Sequence, residues 1–248
     1  MTPSGAQSFD IPGRIVKWFP SADSTMTIAA QMAREGCPSG TVVGADQQTA
    51  GMGRQGRSWH SAPGAGLYIS VVLRLDLGKE SIPLLMLALG IATQQAVAEV
   101  SGLAPDLRWP NDVLLDGKKC AGILANMEGD AIIAGIGINV SHESFPPELA
   151  GLATSLRLAG APGVSRVALL GALVQAIDET CRTLTNDGLA AICEMFTHAS
   201  SYAQGRRVRA EQDGIEGVTC GVNSAGFLLL RQDNGLETVI LTGGVRPA

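Results

Sequence analysis

Residues 113–140, VLLDGKKCAGILANMEGDAIIAGIGINV, decide the fold. Their apolar runs are separated by Asp116-Gly117 and by Gly129-Asp130, and such pairs between apolar runs are signals of β-hairpin turns. The stretch therefore predicts two successive hairpins, with strands at 113–115, 120–126 and 131–140. Because hairpins join antiparallel neighbours, the chain is expected to build an antiparallel or mixed sheet.

The segments on either side supply further strands and the helices. Short β-branched or aromatic runs bounded by turn residues predict strands, and apolar residues at helical spacing predict helices. The predicted strands lie at 15–19, 41–45 and 67–75, and the predicted helices at 23–34, 82–100, 164–185 and 188–196. These elements define an α+β domain, residues 1–203, in which a mixed, largely antiparallel sheet is flanked by helices.

Residues 204–248 have a different texture. Short apolar runs alternate with Asp-Gly, Ser-Ala-Gly and Asp-Asn-Gly turns, which predicts a small β-barrel with strands at 206–210, 214–222, 227–232 and 237–241. A domain of about 45 residues is near the lower limit of independent stability. This second domain is therefore expected to dock on the larger one.

The composition is that of a globular protein. Among 248 residues, 46% are hydrophobic and 17% are charged, which is too apolar for a disordered chain. Eighteen Lys and Arg against 23 Asp and Glu give a net charge of −5, so no overall basic field favours nucleic acid or an anionic membrane. Any basic site is expected to be local.

Several other classes of protein are disfavoured. Residues 1–18 lack the apolar segment of a signal peptide, and the longest apolar run, residues 82–92, falls short of the roughly 20 residues that span a bilayer. A cytoplasmic protein without membrane contact is therefore predicted. The five cysteines never form a Cys-x-x-Cys pair and the three histidines lie apart, so reduced thiols are expected, and no metal site held by the protein alone is expected.

A loop rich in glycine and arginine follows the second predicted strand. Its sequence Gly-Met-Gly-Arg-Gln-Gly at 51–56 matches the dinucleotide-binding spelling, but that motif requires a helix at the last glycine, and Ser-Ala-Pro-Gly-Ala-Gly at 61–66 cannot form one. The loop instead favours a clamp for phosphate or carboxylate, built from backbone N–H groups, Arg54 and Arg57. Trp59 is available to close over a ring. The alternative is a solvated surface loop.

Two further segments carry polar groups at strand ends. Across the Asp116-Gly117 hairpin, Lys119 is paired with the edge formed by Asn111 and Asp112, which predicts a cation in a polar site, although a lone lysine at a strand end is usually solvated. The alternate glycines of Gly-Ile-Gly-Ile-Asn at 135–139 indicate close approach of a ligand, with Asn139 reading its edge, or else of a helix packed on the strand.

No Ser-His-Asp or Cys-His arrangement is apparent in the sequence. An enzyme that relies on Arg, Lys, Asn and Gly is expected to orient two substrates and to stabilise developing negative charge, as in group transfer at phosphorus. A non-enzymatic module that binds RNA is the competing interpretation. The acidic balance and the 4% aromatic content disfavour it.

At these residues the sequence resembles the biotin protein ligases, the biotin-[acetyl-CoA-carboxylase] ligase family. The resemblance covers nearly the whole chain. Its segments follow the family's order and spacing: Ser24-Thr25, Gln48, residues 53–59, Trp109-Pro110-Asn111-Asp112, residues 119–124 and residues 135–139. It implies the biotin–lipoate ligase catalytic domain, which is similar to class II aminoacyl-tRNA synthetases, followed by a small SH3-like β-barrel.

The resemblance implies a two-step reaction. The carboxylate of biotin attacks the α-phosphate of ATP to give biotinyl-5′-AMP and pyrophosphate, and the ε-amine of one lysine on a biotin carboxyl carrier protein then attacks the adenylate. Both nucleophiles belong to substrates, which accounts for the missing protein nucleophile. Magnesium is expected with ATP. The implied partner is the carrier protein of acetyl-CoA carboxylase or of a similar carboxylase.

The resemblance also implies roles for individual residues. Lys119 and Arg54 are the implied catalytic residues, with Lys119 near the carboxylate of biotin. The residues expected to contact biotin are Ser24, Thr25, Met26, Gln48, Met52, Gly53, Arg54, Lys119 and Gly122. Those expected to contact ATP or the adenylate are Arg54, Arg57, Trp59, Asn111, Lys119 and Asn139, with Trp59 at the adenine end.

Four positions depart from the family pattern. Met52 replaces the first arginine of the loop, Met26 and Asn126 stand where Asn and Glu are common, and Arg108 replaces a common lysine. Activity is still expected because Arg54 and Lys119 are present.

The resemblance leaves three points open or disfavoured. A lipoate-protein ligase of the same fold is the nearest enzymatic alternative, which the Gly-Arg loop and the Trp-Pro-Asn-Asp run disfavour. Only 23 residues precede Ser24, too few for the amino-terminal winged-helix domain of relatives that act as repressors, so DNA binding is not predicted. The oligomeric state is left open, a homodimer included.

Overall fold

The computed structural model describes residues 9–248. Residues 1–8 lie outside this range. The start of the predicted larger domain and part of the segment considered as a signal peptide fall on these residues. The helices are α1 (Thr25–Arg34), α2 (Ile82–Ser101), α3 (Arg166–Asn186) and α4 (Leu189–Ala199). The strands are β1 (Val16–Phe19), β2 (Val42–Ala45), β3 (Gly66–Leu73), β4 (Asp106–Arg108), β5 (Asp112–Leu115), β6 (Lys118–Glu128), β7 (Ala131–Asn139), β8 (Gln204–Ala210), β9 (Glu216–Val222), β10 (Leu228–Arg231), β11 (Glu237–Ile240) and β12 (Val245–Pro247).

Seven strands form the large sheet, in the order β1-β2-β3-β7-β6-β5-β4. The pair β1 and β2 is parallel, and all other neighbours are antiparallel. The two hairpins predicted from residues 113–140 are the pairs β5–β6 and β6–β7. The prediction of a mixed, largely antiparallel sheet flanked by helices is thus confirmed.

The two faces of the large sheet carry different layers, because successive side chains of a strand point to opposite faces. On β2 and β3, Val42 and Val71 belong to the main core under α2 and α3, while Val43 and Val72 belong to a smaller cluster under α1. Helix α2 is apolar on nearly every side and is the one helix among residues 9–248 with the length and apolarity of a membrane span. Its residues between Leu84 and Val97 are nearly all buried in the core.

Residues from Gln204 onward form a second, five-stranded antiparallel sheet in the order β11-β10-β9-β8-β12. This arrangement is consistent with the predicted SH3-like domain. The three-residue strand β12 is additional to the prediction.

The small domain is fastened to the large one at its turn before β10. The indole N–H of Trp109 donates a hydrogen bond to the carbonyl of Gly226 at 2.9 Å. Gly226 has a φ of +83°, and a Cβ placed there would lie 3.1 Å from the backbone nitrogen of Leu84 at the start of α2. A side chain at this position would be strained and crowded, so glycine permits the close approach of the two domains.

Candidate active site

Two glycines face each other on the α1 side of the large sheet. Gly122 on β6 pairs with Gly137 on β7. A Cβ at Gly137 would lie 2.5 Å from Cε2 of Trp59, and a Cβ at Gly122 would lie 2.9 Å from Cζ3 of the same ring. The indole therefore packs directly against backbone. A Cβ at Gly135 would instead lie 2.7 Å from Sδ of Met26 on α1. Of the two glycines in the 135–139 pattern, Gly135 thus allows α1 to pack closely on the strand, and Gly137 allows the Trp59 indole to do so.

The amino-terminal end of α1 carries a hydrogen-bond network. The backbone N–H and the hydroxyl of Thr25 donate to Oε1 of Gln48 at 2.9 and 3.2 Å, and the Thr25 hydroxyl lies 2.8 Å from that of Ser70. Nε2 of Gln48 donates to the hydroxyl of Ser61 at 3.2 Å. Ser24 occupies the N-cap position, but its hydroxyl makes no capping bond and is buried without a partner. A buried hydroxyl in this state is suited to a ligand.

Gly122 and Gly137 form a surface that we call the glycine face. A small cavity of about 50 Å³ lies between this surface and the hydrogen-bond network of α1. All nine residues predicted to contact biotin line it: Ser24, Thr25, Met26, Gln48, Met52, Gly53, Arg54, Lys119 and Gly122. Its volume is far below the roughly 300 Å³ at the lower end of ligand pockets. Because the Trp59 ring also lines this cavity, the indole occupies space that a bicyclic ligand would need.

Residues 51–59 form a short hairpin, which we call the loop hairpin. Met52 bridges Ser58, and the Gly53 N–H donates to the Arg57 carbonyl at 2.7 Å. At its tip Gln55 has a φ of 56°. The loop hairpin contacts the small domain through the side chains of Arg54 and Arg57.

Both arginines of the loop hairpin are engaged. Nη1 of Arg54 donates to the carbonyl of Gly243 at 2.9 Å and to Oδ1 of Asn111 at 3.3 Å. Nη2 of Arg57 lies 3.6 Å from a carboxylate oxygen of Glu211. Burial lowers the pKa of the Arg54 guanidinium, and this effect outweighs the opposing charge of nearby Asp112. Arg54 is thus a partly desolvated cation. An anion that binds beside it is attracted more strongly than it would be in water.

A buried ionic cluster lies beside Arg54. Asp112 accepts from Lys119 Nζ at 2.5 Å and from Arg108 Nη2 at 2.6 Å. Burial opposes ionisation of the Asp112 carboxyl, but the two cations together prevail and lower its pKa. The sequence placed Asp112 beside Lys119 across the Asp116-Gly117 hairpin, but it gave Asp112 no substrate-binding role and did not identify Arg108 as its second partner. Arg108 and Asp112 lie opposite each other in the antiparallel pair β4–β5, which accounts for their contact.

A larger cavity of about 260 Å³ lies between the loop hairpin, the start of β5 and the small domain. All six residues predicted to contact ATP line it: Arg54, Arg57, Trp59, Asn111, Lys119 and Asn139. Side chains that the sequence analysis did not identify complete the wall: His60, Phe145, Leu149, Leu152, Glu211 and Arg246. Five residues line both cavities, namely Gly53, Arg54, Trp59, Asn111 and Lys119. The two cavities therefore meet at Arg54 and Lys119.

The two asparagines differ in what they have left to offer a ligand. Nδ2 of Asn139 donates to the Thr154 carbonyl at 3.0 Å, and Oδ1 is buried without a partner. Asn111 uses Nδ2 to donate to the Ile123 carbonyl at 3.0 Å and Oδ1 to accept from Arg54. Asn139 thus offers an unused acceptor beside the larger cavity, whereas Asn111 holds the loop hairpin.

An aromatic group supports one wall of the larger cavity. His142 is 3% exposed and stacks on Phe145 with ring centroids 5.0 Å apart. The Tyr68 hydroxyl donates to the Ala62 carbonyl at 3.1 Å and lies 3.3 Å from Nε2 of His142. Burial, together with the nearby His60, lowers the pKa of His142 to about 4.

The free energy of unfolding is expected to fall as the pH falls from about 6.5, the ordinary histidine pKa, towards the depressed value of about 4. In this window the unfolded chain binds a proton at His142 that the folded protein does not, so acid favours unfolding. Denaturant unfolding at pH 7 and pH 5 measures the loss, expected to be about 1 kcal/mol. The His142→Gln variant should lose this part of the pH dependence, and His198→Gln, at an exposed position, should keep it.

Among residues 9–248 no three His, Cys, Asp or Glu side chains come together as a metal site would require. All five cysteines are free thiols.

The large sheet carries two cavities that meet at Arg54 and Lys119, an arrangement suited to two ligands that lie side by side. Residues 18–142 match the model of the biotin/lipoate A/B protein ligase family. The chain is 32% identical over 238 residues to the bifunctional ligase/repressor BirA of Bacillus subtilis, covering 93% of this chain and 73% of that protein. It is 33% identical over 212 residues to the biotin-[acetyl-CoA-carboxylase] ligase of Mycobacterium tuberculosis, covering 83% and 77%.

A solved structure shows the same likeness. The biotin protein ligase from Aquifex aeolicus in complex with biotin and ATP superposes with a TM-score of 0.85 at 29% identity, covering 94% of this chain and 99% of that one. The chain therefore belongs to the biotin/lipoate A/B protein ligase family.

Proposed function

We propose that this chain is a biotin-[acetyl-CoA-carboxylase] ligase. It forms biotinyl-5′-AMP from biotin and ATP, and it then transfers the biotinyl group to one lysine of a biotin carboxyl carrier protein. The relatives named above include a ligase of this activity and a structure that holds both substrates. The observation that carries the proposal is the meeting of two cavities at Arg54 and Lys119.

Adenylation takes place where the cavities meet. A carboxylate oxygen of biotin attacks the α-phosphorus of ATP, the bond from that phosphorus to the bridging oxygen breaks, and pyrophosphate leaves. Two negatively charged reactants approach each other in this step. Lys119 and Arg54 lower the cost of that approach, since partly desolvated cations stabilise developing negative charge more strongly than water does.

Biotin lies on the glycine face in this proposal. The side chains of Ser24, Thr25 and Gln48 supply polar partners for its ring, and the unpartnered hydroxyl of Ser24 supports that role. Gly122 and Gly137 leave backbone exposed beneath the ring. Trp59 moves from the glycine pair when biotin enters, because the present cavity of about 50 Å³ is too small for the ligand.

The nucleotide occupies the larger cavity. Asn139 offers its unused Oδ1 to an amino group of the base, and Arg57 faces the phosphates. Asn111 supports the site by accepting a hydrogen bond from Arg54. Magnesium enters as part of the Mg-ATP substrate, in which it screens the triphosphate and the departing pyrophosphate.

In the transfer step the loop hairpin excludes water from the adenylate. The carrier's lysine, as a neutral amine, attacks the carbonyl carbon of the mixed anhydride. The bond from that carbon to the phosphate oxygen breaks, AMP leaves with the electron pair, and the amine gives up its proton. The product is an amide between biotin and the carrier protein.

The proposal is tested by two assays on the full chain. Labelled pyrophosphate should exchange into ATP only when biotin is present, and labelled biotin should become covalently attached to a biotin carboxyl carrier protein. Lipoate offered in place of biotin is the matched control. Incorporation of lipoate but not of biotin would assign the chain to the lipoate branch of the family and overturn the proposal.

A further inference from the structure

Asp112 is a buried carboxylate between two cations, and it lines the larger cavity beside Lys119, which lines both cavities. Oδ1 lies 2.5 Å from Nζ of Lys119 and Oδ2 lies 2.6 Å from Nη2 of Arg108. The exposed fractions of the side chains are 5% for Arg108, 14% for Asp112 and 29% for Lys119. Buried charges are costly to maintain unless each finds a partner. The carboxylate finds one on each oxygen, so it is fixed in both position and orientation.

Lys119 depends on that carboxylate for its own position. Lysine is a point charge on a flexible four-carbon stem, which loses entropy when it is held in one place. The stem crosses β6 above Gly122, where a Cβ would lie 2.9 Å from Lys119 Cε. The Trp59 ring centroid is 5.3 Å from Nζ and restrains it only weakly. Among the described residues, Asp112 is the one acid paired with the Lys119 ammonium.

We propose that Asp112 is a positioning residue that holds the ammonium of Lys119 where the two cavities meet, and that Arg108 holds Asp112 in turn. The inference rests on the proposed function, since it takes Lys119 to be the cation that meets the carboxylate of biotin. Asp112 lines the larger cavity, and in this scheme it acts on the reaction through Lys119 rather than by binding a substrate itself. The forked guanidinium of Arg108 suits a carboxylate that must stay in place.

Positioning of Lys119 matters more for adenylation than for transfer. In adenylation a carboxylate and a polyphosphate approach each other, and a displaced cation leaves their repulsion unscreened. In transfer a neutral amine attacks an anhydride that is already formed. Removal of Asp112 should therefore separate the two half-reactions, whereas general damage to the fold would slow both.

The test is the Asp112→Asn variant of the full chain. Asparagine keeps the volume and one hydrogen-bond acceptor but removes the charge. Biotin-dependent pyrophosphate exchange should fall about a hundredfold, while transfer from supplied biotinyl-5′-AMP to the carrier should change by less than about threefold. The matched control is Asp116→Asn, at the exposed turn of the same β5–β6 hairpin. This control should leave both rates unchanged.

A second pair of variants keeps the test decisive if Asp112→Asn folds poorly. Arg108→Lys retains a cation beside Asp112 and should keep most of the exchange activity, and Arg108→Met should reproduce the selective loss. Equal losses in both half-reactions would overturn the inference and leave a structural role. Exchange that is unchanged or faster in Asp112→Asn, with normal exchange in the unaltered protein, would overturn the inference alone. Absence of exchange in the unaltered protein would overturn the proposed function as well.

Discussion

Lys119→Ala is expected to lower biotin-dependent pyrophosphate exchange by about a hundredfold to a thousandfold, the range found when one preorganised electrostatic partner is removed from an active site. The variant removes the ammonium that lines both cavities and leaves Asp112 with Arg108 as its remaining partner. Arg54→Ala should act in the same direction. The measurement is the rate of exchange of labelled pyrophosphate into ATP at saturating biotin.

The control for Lys119→Ala lies next to it in the sequence. Lys118 precedes Lys119 on β6, but its side chain is exposed and lines neither cavity. Lys118→Ala should therefore retain full exchange activity. If Lys119→Ala exchanged as fast as Lys118→Ala, the role assigned to the Lys119 ammonium would be wrong.

Gly137→Ala is expected to weaken the binding of biotin by about tenfold to a hundredfold, which corresponds to 1–3 kcal/mol of overpacking. The added methyl would cover the backbone on which the ligand is proposed to rest after Trp59 has moved away. Titration calorimetry with biotin measures the change in the dissociation constant.

The comparison for Gly137→Ala is Gly171→Ala on α3, where a Cβ meets no atom within 4 Å. This substitution should leave biotin affinity as it is, and alanine should favour the helix. Equal affinities in the two variants would mean that biotin does not lie on the glycine face.

The hairpins of the large sheet could be predicted because their signals are local. The turns at Asp116-Gly117 and Gly129-Asp130 are spelled out within the strands that they join, and the pairing of β5, β6 and β7 follows from them. Strands β4 and β12 were missed because each has three residues and β4 runs into Pro110, so neither shows an alternating pattern. The adjacency of β3 and β7 also lay beyond sequence reasoning, since about 60 residues separate them and only packing brings them together.

The sequence predicted which residues of the candidate site come together better than it predicted the contacts between them. Every predicted substrate-binding residue lines one of the two cavities, because motifs at strand ends and in glycine loops identify positions that a sheet brings together. The pairing of Lys119 with the Asp112 edge follows from the hairpin, but the contacts between the two domains were not predicted. The contacts of Arg57 with Glu211 and of Arg54 with Gly243 cross from one domain to another. The placement of Trp59 against Gly122 and Gly137 likewise depends on the path of the loop hairpin, which no local pattern fixes.

The two contacts that the loop hairpin makes with the small domain have a consequence for the economy of the reaction. The loop hairpin remains closed over the site only while the small domain that it contacts stays in position. If residues 204–248 become loosely held, we expect water to hydrolyse biotinyl-5′-AMP before the lysine of the carrier protein reaches it. The enzyme would continue to consume ATP but would attach little biotin to the carrier protein. A measurement of pyrophosphate release alone would report full activity and would miss this loss.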